Sequence, residues 1–80
     1  MVTSYTLARV EPAKDIMVYK EVKMLPEVKD VVTTYGEYDM IIKVEVDSLE
    51  ALDSFVFHTL RLIKGVNSTT TLIQSDFSKE

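Results

Sequence analysis

Apolar and polar residues alternate along Met40–Val46: Met40, Ile42, Val44 and Val46 share one face, Ile41, Lys43 and Glu45 the other. A period of two over this length predicts a strand with one buried face. A second run rich in β-branched residues, Val28 to Thr34, lies just upstream. Between the two sits Tyr35-Gly36-Glu37-Tyr38-Asp39, where a single glycine supplies the positive φ that a hairpin connection needs. Residues 2–10 are also β-favouring, with Tyr5 and Leu7 on one face and Thr6, Ala8 and Val10 on the other. Glu11-Pro12-Ala13 ends that strand and places Pro12 in the first turn of a helix.

The period then becomes helical. From Lys14 to Leu25 the inner positions are Val18, Val22 and Leu25, flanked by Ile16 and Tyr19, until Pro26 stops the helix. A second helix is predicted to begin at Asp47, with Glu50 completing a capping box, and to run to about Lys64. Its inner stripe is Leu49, Leu52, Val56 and Ile63, widened by Phe55 and Leu62, and Gly65 ends it as a left-handed residue. Val66 to about Ser75 reads as a last strand, with Asp76 to Glu80 a frayed polar tail.

Strand-helix-strand, hairpin, strand-helix-strand predicts an α+β, ferredoxin-like βαββαβ sandwich spanning residues 1–80 as one domain. Its four-stranded antiparallel sheet carries both helices on one face. The other face is then left bare, with Ile41 and, depending on register, Val31, Tyr35 and Ile73 exposed on it. An open apolar sheet face predicts a homodimer packed sheet to sheet, with larger rings built through sheet edges.

Composition narrows the function. The 80 residues are 46% hydrophobic and 28% charged, in the range of a folded globule. No apolar run approaches the ~20 residues of a membrane span, and Met1–Tyr5 lacks the pattern of a signal peptide. With no cysteine there is no disulfide or thiolate chemistry, and the expected location is the cytoplasm. A net charge of −4 without a basic patch argues against direct binding of nucleic acid. His58 is the only histidine, without an identifiable nucleophile or orienting carboxylate, and reads first as a structural residue. Asp30, Glu37 and Asp39 form no metal-ligand spacing, and two glycines cannot assemble a nucleotide loop. Neither a metal nor an organic cofactor is expected.

What remains is polar chemistry at the Gly36 turn. Gly36 exposes backbone N–H groups suited to a carboxylate, and Asp39 could accept from an ammonium group. Together they fit the zwitterion of a free amino acid. The same residues also have a plain reading, in which Gly36 permits the turn and Asp39 caps it.

Three stretches carry a resemblance. Leu25-Pro26-Glu27-Val28, then Gly36-Glu37-Tyr38-Asp39 before an apolar strand, then Gly65-Val66-Asn67-Ser68-Thr69-Thr70-Thr71, closely resemble the effector-binding (RAM) domain of the Lrp/AsnC transcription regulators. The likeness spans nearly the whole chain. It implies a ferredoxin-like fold, dimers joined through their sheets, rings of dimers, and amino-acid effectors held between dimers. Carried over by position, the family's Gly-x-x-Asp turn falls on Gly36 and Asp39 with Tyr35 beside it, and its last-strand hydroxyls on Thr69 and Thr71. Tyr38, inside the turn, completes the candidate ligand-binding set. If Ser68, Thr70 and Leu72 face the helices, Thr69 and Thr71 face a neighbouring subunit. The family's N-terminal helix-turn-helix has no counterpart before the first strand. The chain is therefore expected to be a stand-alone effector domain that binds no DNA itself and assembles with, or alters, a full-length regulator.

Two other classes remain open at this point. A small ferredoxin-like isomerase or oxygenase would use His58, Tyr5 or Tyr38 as acid or base in a cavity inside one protomer. A purely structural assembly module would keep the turn without a ligand.

Overall fold

A computed structural model describes residues 1–75 of the protein. Four strands, β1 (Val2–Val10), β2 (Val28–Thr33), β3 (Met40–Val46) and β4 (Val66–Ile73), form one sheet in the order β2-β3-β1-β4. Every neighbouring pair is antiparallel. Helix α1 (Asp15–Lys23) connects β1 to β2, and helix α2 (Leu49–Phe55), continued by a π-helical turn over Val56–Leu60, connects β3 to β4. This is the ferredoxin-like arrangement inferred from the sequence.

The period of two explains the core. Met40, Ile42, Val44 and Val46 of β3 are all buried, beside Ala8 and Val10 of β1 and Val31 of β2. Val18 and Val22 from α1 cover them, with Leu52 and Phe55 from α2 and Val56, Leu60 and Ile63 beyond it. Complete burial of a side chain such as Ile42 or Leu60 stabilises by roughly 1.5–3 kcal/mol. Ser4 and Thr6 are the buried polar residues on this face, and the Thr6 hydroxyl meets that of Thr71 at 3.2 Å.

The ends of the helices differ from expectation. Pro12 lies outside the first helix, in a turn closed by Lys14 N–H donating to Glu11 O (3.0 Å) with Ala13 at φ 73°. Proline at the second position and positive φ at the third are the features of a type II turn. The helix itself starts at Asp15 and leaves Ile16 exposed rather than flanking the core. The second helix is capped by Ser48, whose hydroxyl accepts from Ala51 N (3.1 Å), so Asp47 and Glu50 form no capping box. Ser48 takes the role because its backbone is extended, as a capping residue requires. The second helix is α-helical only to Phe55, and the wider turn after it is closed by Arg61 N–H donating to Val56 O (2.9 Å). Leu60, four residues after Val56, is fully buried, whereas Leu49 and Leu62, assigned to the inner stripe, are exposed.

Strand register corrects the bare face. Residues directly opposite each other in an antiparallel pair point to the same side. Val31 pairs with Ile42 and Ile73 with Ser4, so both lie on the helix side, and Tyr35 stands in the loop after β2. The helix-free side instead carries Tyr5, Leu7 and Arg9 of β1, Val32 of β2, Ile41, Lys43 and Glu45 of β3, and Ser68, Thr70 and Leu72 of β4. Its apolar content is therefore Tyr5, Leu7, Val32, Ile41 and Leu72. The predicted tail, Asp76 to Glu80, lies outside the described residues.

Candidate functional site

The turn between β2 and β3 is built from its two ends. Thr34 N–H donates to Asp39 O (2.9 Å), and the Thr34 hydroxyl donates to Tyr38 O (2.7 Å). Asp39 N–H donates to Ala8 O (2.9 Å), which carries the β1–β3 ladder one residue past the strand. Between these ties the chain turns over Gly36 at φ 120°, and a Cβ placed there would meet nothing within 4 Å. The backbone around Gly36 is thus held by its conformation and left open to the outside.

Asp39 has a second structural duty. The pairing of β1 with β4 shifts register between Arg9 and Val10, and the Val10 N–H donates to Asp39 Oδ2 at 2.7 Å. An amide that leaves its ladder at a bulge needs another acceptor, and this carboxylate supplies it. The Asp39 side chain thus braces the β1 bulge, while the turn itself is closed by Thr34 and the Asp39 and Tyr38 carbonyls. The brace engages one of the two carboxylate oxygens, and Oδ1 has no partner among the hydrogen bonds of the described residues.

Beside the turn, on the helix side of β2, lies a cleft of about 530 Å³ lined by Asp15, Ile16, Tyr19, Val31, Thr33, Thr34, Tyr35 and Asp39. Ligand pockets commonly span roughly 300–1,000 Å³, and this cleft, open to solvent on one side, lies within that range. Its walls combine apolar and aromatic surface from α1 with the hydroxyls and carboxylate of the turn. Tyr35 is fully solvent-exposed at its rim.

The six candidate residues do not all converge. Tyr35 and Asp39 share the cleft, with Gly36 next to them in the turn. Tyr38 points the other way: its hydroxyl is 3.4 Å from that of Thr70, on the helix-free side. Thr69 pairs with Ala8 and Thr71 with Thr6, which places both on the helix side of β4, at the opposite edge of the sheet from the cleft. The alternative in which they face a partner packed on the bare sheet is thereby overturned; Ser68, Thr70 and Leu72 take that side.

Sequence spacing missed the contributions of Asp15, Ile16 and Tyr19 from α1, because nothing in a period shows which end of a helix borders a turn. Arg9 was missed as well. Its Nη2 donates to Glu37 Oε2 at 2.8 Å, and its guanidinium carbon lies 5.3 Å from the centre of the Tyr38 ring. Lys23 sits similarly over Tyr19, donating to its hydroxyl at 3.1 Å. That hydrogen bond, with the electrostatic attraction of the Tyr19 oxygen, raises the Lys23 pKa above its ordinary value.

The acid–base residues considered for an enzyme are apart. His58 is exposed on the π-helical turn, in the helix layer, while Tyr5 and Tyr38 lie on the bare side of the sheet. Among the described residues, no three His, Asp or Glu side chains are grouped to hold a metal ion. No helix among them is long and apolar enough to cross a membrane.

Comparison with known proteins agrees with the resemblance read from the turn and the last strand. Residues 5–80 match the Lrp/AsnC ligand binding domain. The chain belongs to that family. An uncharacterised HTH-type transcriptional regulator of Pyrococcus abyssi is 31% identical over 81 residues, covering 98% of this chain and 54% of the regulator. The chain thus spans about half the length of the curated relatives it matches. The crystal structure of FFRP-DM1 superposes with a TM-score of 0.91 at 37% identity, covering 94% of this chain and all of that one. A transcriptional regulator from Neisseria meningitidis, NMB0573, solved as an L-Met complex, shares the fold with a TM-score of 0.87 at 20% identity, over 99% of this chain and 53% of its own.

Proposed function

We propose that this domain binds a free amino acid against the Gly36–Asp39 turn, and that occupancy changes how copies of the chain assemble. The carrying observation is the position of Asp39: one carboxylate oxygen is tied to Val10, and the residue lines a metabolite-sized cleft beside an open glycine turn. The carboxylate takes the ligand's ammonium group, and N–H groups of the Gly36 turn take its carboxylate. Tyr35 closes over the ligand from the rim. Membership of the Lrp/AsnC ligand-binding family supports the reading, as does an L-Met complex of a regulator with the same fold.

The assembly is a dimer packed through the bare sheet face, whose Tyr5, Leu7, Val32, Ile41 and Leu72 would otherwise remain in water. Dimers then meet to form rings. Thr69 and Thr71 join a site only at such a contact, where the β4 edge of one protomer reaches the cleft of another. A ligand that binds one assembly more tightly shifts the population toward it. The domain works in the cytoplasm without catalysis or direct DNA contact, by joining or altering a full-length regulator of its own family.

Calorimetry against the twenty amino acids tests the site. Asp39→Asn retains an oxygen for the Val10 N–H but removes the charge. Binding by the parent and at least about tenfold weaker binding by Asp39→Asn is the expected result. No heat with any amino acid, or equal affinity in the variant, refutes the proposal. Light scattering at micromolar concentration tests assembly: a particle of only 9.1 kDa would end the dimer.

A further inference from the structure

The Gly36 turn is tied at its ends but unsupported at its tip. Its bonds start from Thr34 and close on Tyr38 and Asp39, and the space beside Gly36 is empty. A binding loop with that freedom would lose ligand affinity to the entropy of ordering it. One side chain outside the turn addresses this. Arg9 leaves β1 on the bare side of the sheet, bonds Glu37 through Nη2 at 2.8 Å, and stacks against Tyr38 at 5.3 Å. Tyr38 in turn meets Thr70 of β4 at 3.4 Å. The residue after Gly36 and the one before Asp39 are thereby linked to two adjacent strands.

We propose that Arg9 is a positioning residue for the turn, holding Glu37 and Tyr38 from the face of the sheet opposite the cleft. A guanidinium suits the task because its edge donates to a carboxylate while its plane rests on an aromatic ring, a flat contact that an ammonium group does not offer. The inference rests on reading the turn as a binding loop, but its physical content can be measured with no ligand present. In the single chain the Arg9 and Glu37 side chains are 48% and 70% exposed, so the pair is weak by itself.

The test is amide hydrogen exchange, residue by residue, on the ligand-free protein and on Arg9→Gln, Arg9→Lys, Glu37→Gln and the charge-swapped Arg9→Glu/Glu37→Arg. The Asp39 and Thr34 amides should exchange about 3- to 10-fold faster in Arg9→Gln, from loss of an exposed ion pair and a cation–π contact, and by a smaller factor in Glu37→Gln, which loses the ion pair alone. Ile42 and Val44 should exchange as in the parent. Arg9→Lys should recover only part of the protection, and the swapped pair should restore the ion-pair share alone, since a carboxylate at residue 9 loses the contact with Tyr38. Unchanged turn amides in both single variants, or equal acceleration throughout β3, would overturn the proposal. So would a swapped pair no better protected than Arg9→Gln, which lacks both contacts. Should Arg9→Gln not fold, Glu37→Gln and Arg9→Lys decide alone. Failure here leaves amino-acid binding untouched, and failure of amino-acid binding leaves this result standing.

Discussion

Two glycines with left-handed backbones mark two corners of this molecule, and their surroundings are opposite. Gly65, at φ 105°, is packed: a Cβ there would lie 2.8 Å from Val18 Cγ2 and 3.3 Å from Lys14 Cβ. Its carbonyl accepts from Glu11 N–H at 2.7 Å, which joins the start of β4 to the end of β1. Gly36, at φ 120°, faces open space. Both residues satisfy a backbone that L side chains avoid, but only the first is also needed for close approach. Gly65 serves the fold. Gly36 serves the backbone of its turn, and the space beside it is left open.

Substitutions can break this contrast or sharpen it. The largest effect belongs to Gly65→Ala, which adds left-handed strain and a clash with Val18. A loss of about 2–5 kcal/mol in urea unfolding is expected. Gly36→Ala carries the strain alone and should cost about 1–2 kcal/mol. Equal losses at the two sites would erase the distinction. Thr34→Val removes the hydroxyl bond to Tyr38 O and should cost about 1 kcal/mol, with the change in hydrogen exchange confined to residues 34–39. The smallest effect lies at the packed corner, where Ala13 holds φ 73°. Ala13→Gly should stabilise by about 0.5 kcal/mol, since relief of strain exceeds the entropy added to the unfolded chain. Destabilisation there would mean that the methyl group makes a contact worth more than its backbone strain.

The fold was legible because its signals repeat. Alternation along β3 and the breakers at Pro26 and Gly65 each report a local choice that the sheet then obeys. The errors came where a choice depends on what lies across space. Val31 and Ile73 were left open between faces, because a strand's register is set by its partner and by bulges such as that at Arg9. The same dependence turned Thr69 and Thr71 toward the helix side. Asp47 lost the cap to its neighbour Ser48 because a one-residue difference in where the helix starts is not encoded by residue type alone. At the candidate site the turn residues were visible and the cleft was not. Ile16 and Tyr19 reach it from a helix that closes in space, not in sequence.

The central claim is that the space beside Gly36 is occupied by a free amino acid. The most direct measurement is a titration of the isotopically labelled protein with each of the twenty amino acids, followed through its backbone amide resonances. At least one should shift Tyr35, Gly36, Glu37 and Asp39 in a saturable way while leaving the amides around Gly65 in place, and Asp39→Asn should need at least about tenfold more ligand for the same response. Saturable shifts centred on the Gly65 corner or on His58, or none with any of the twenty, would contradict it.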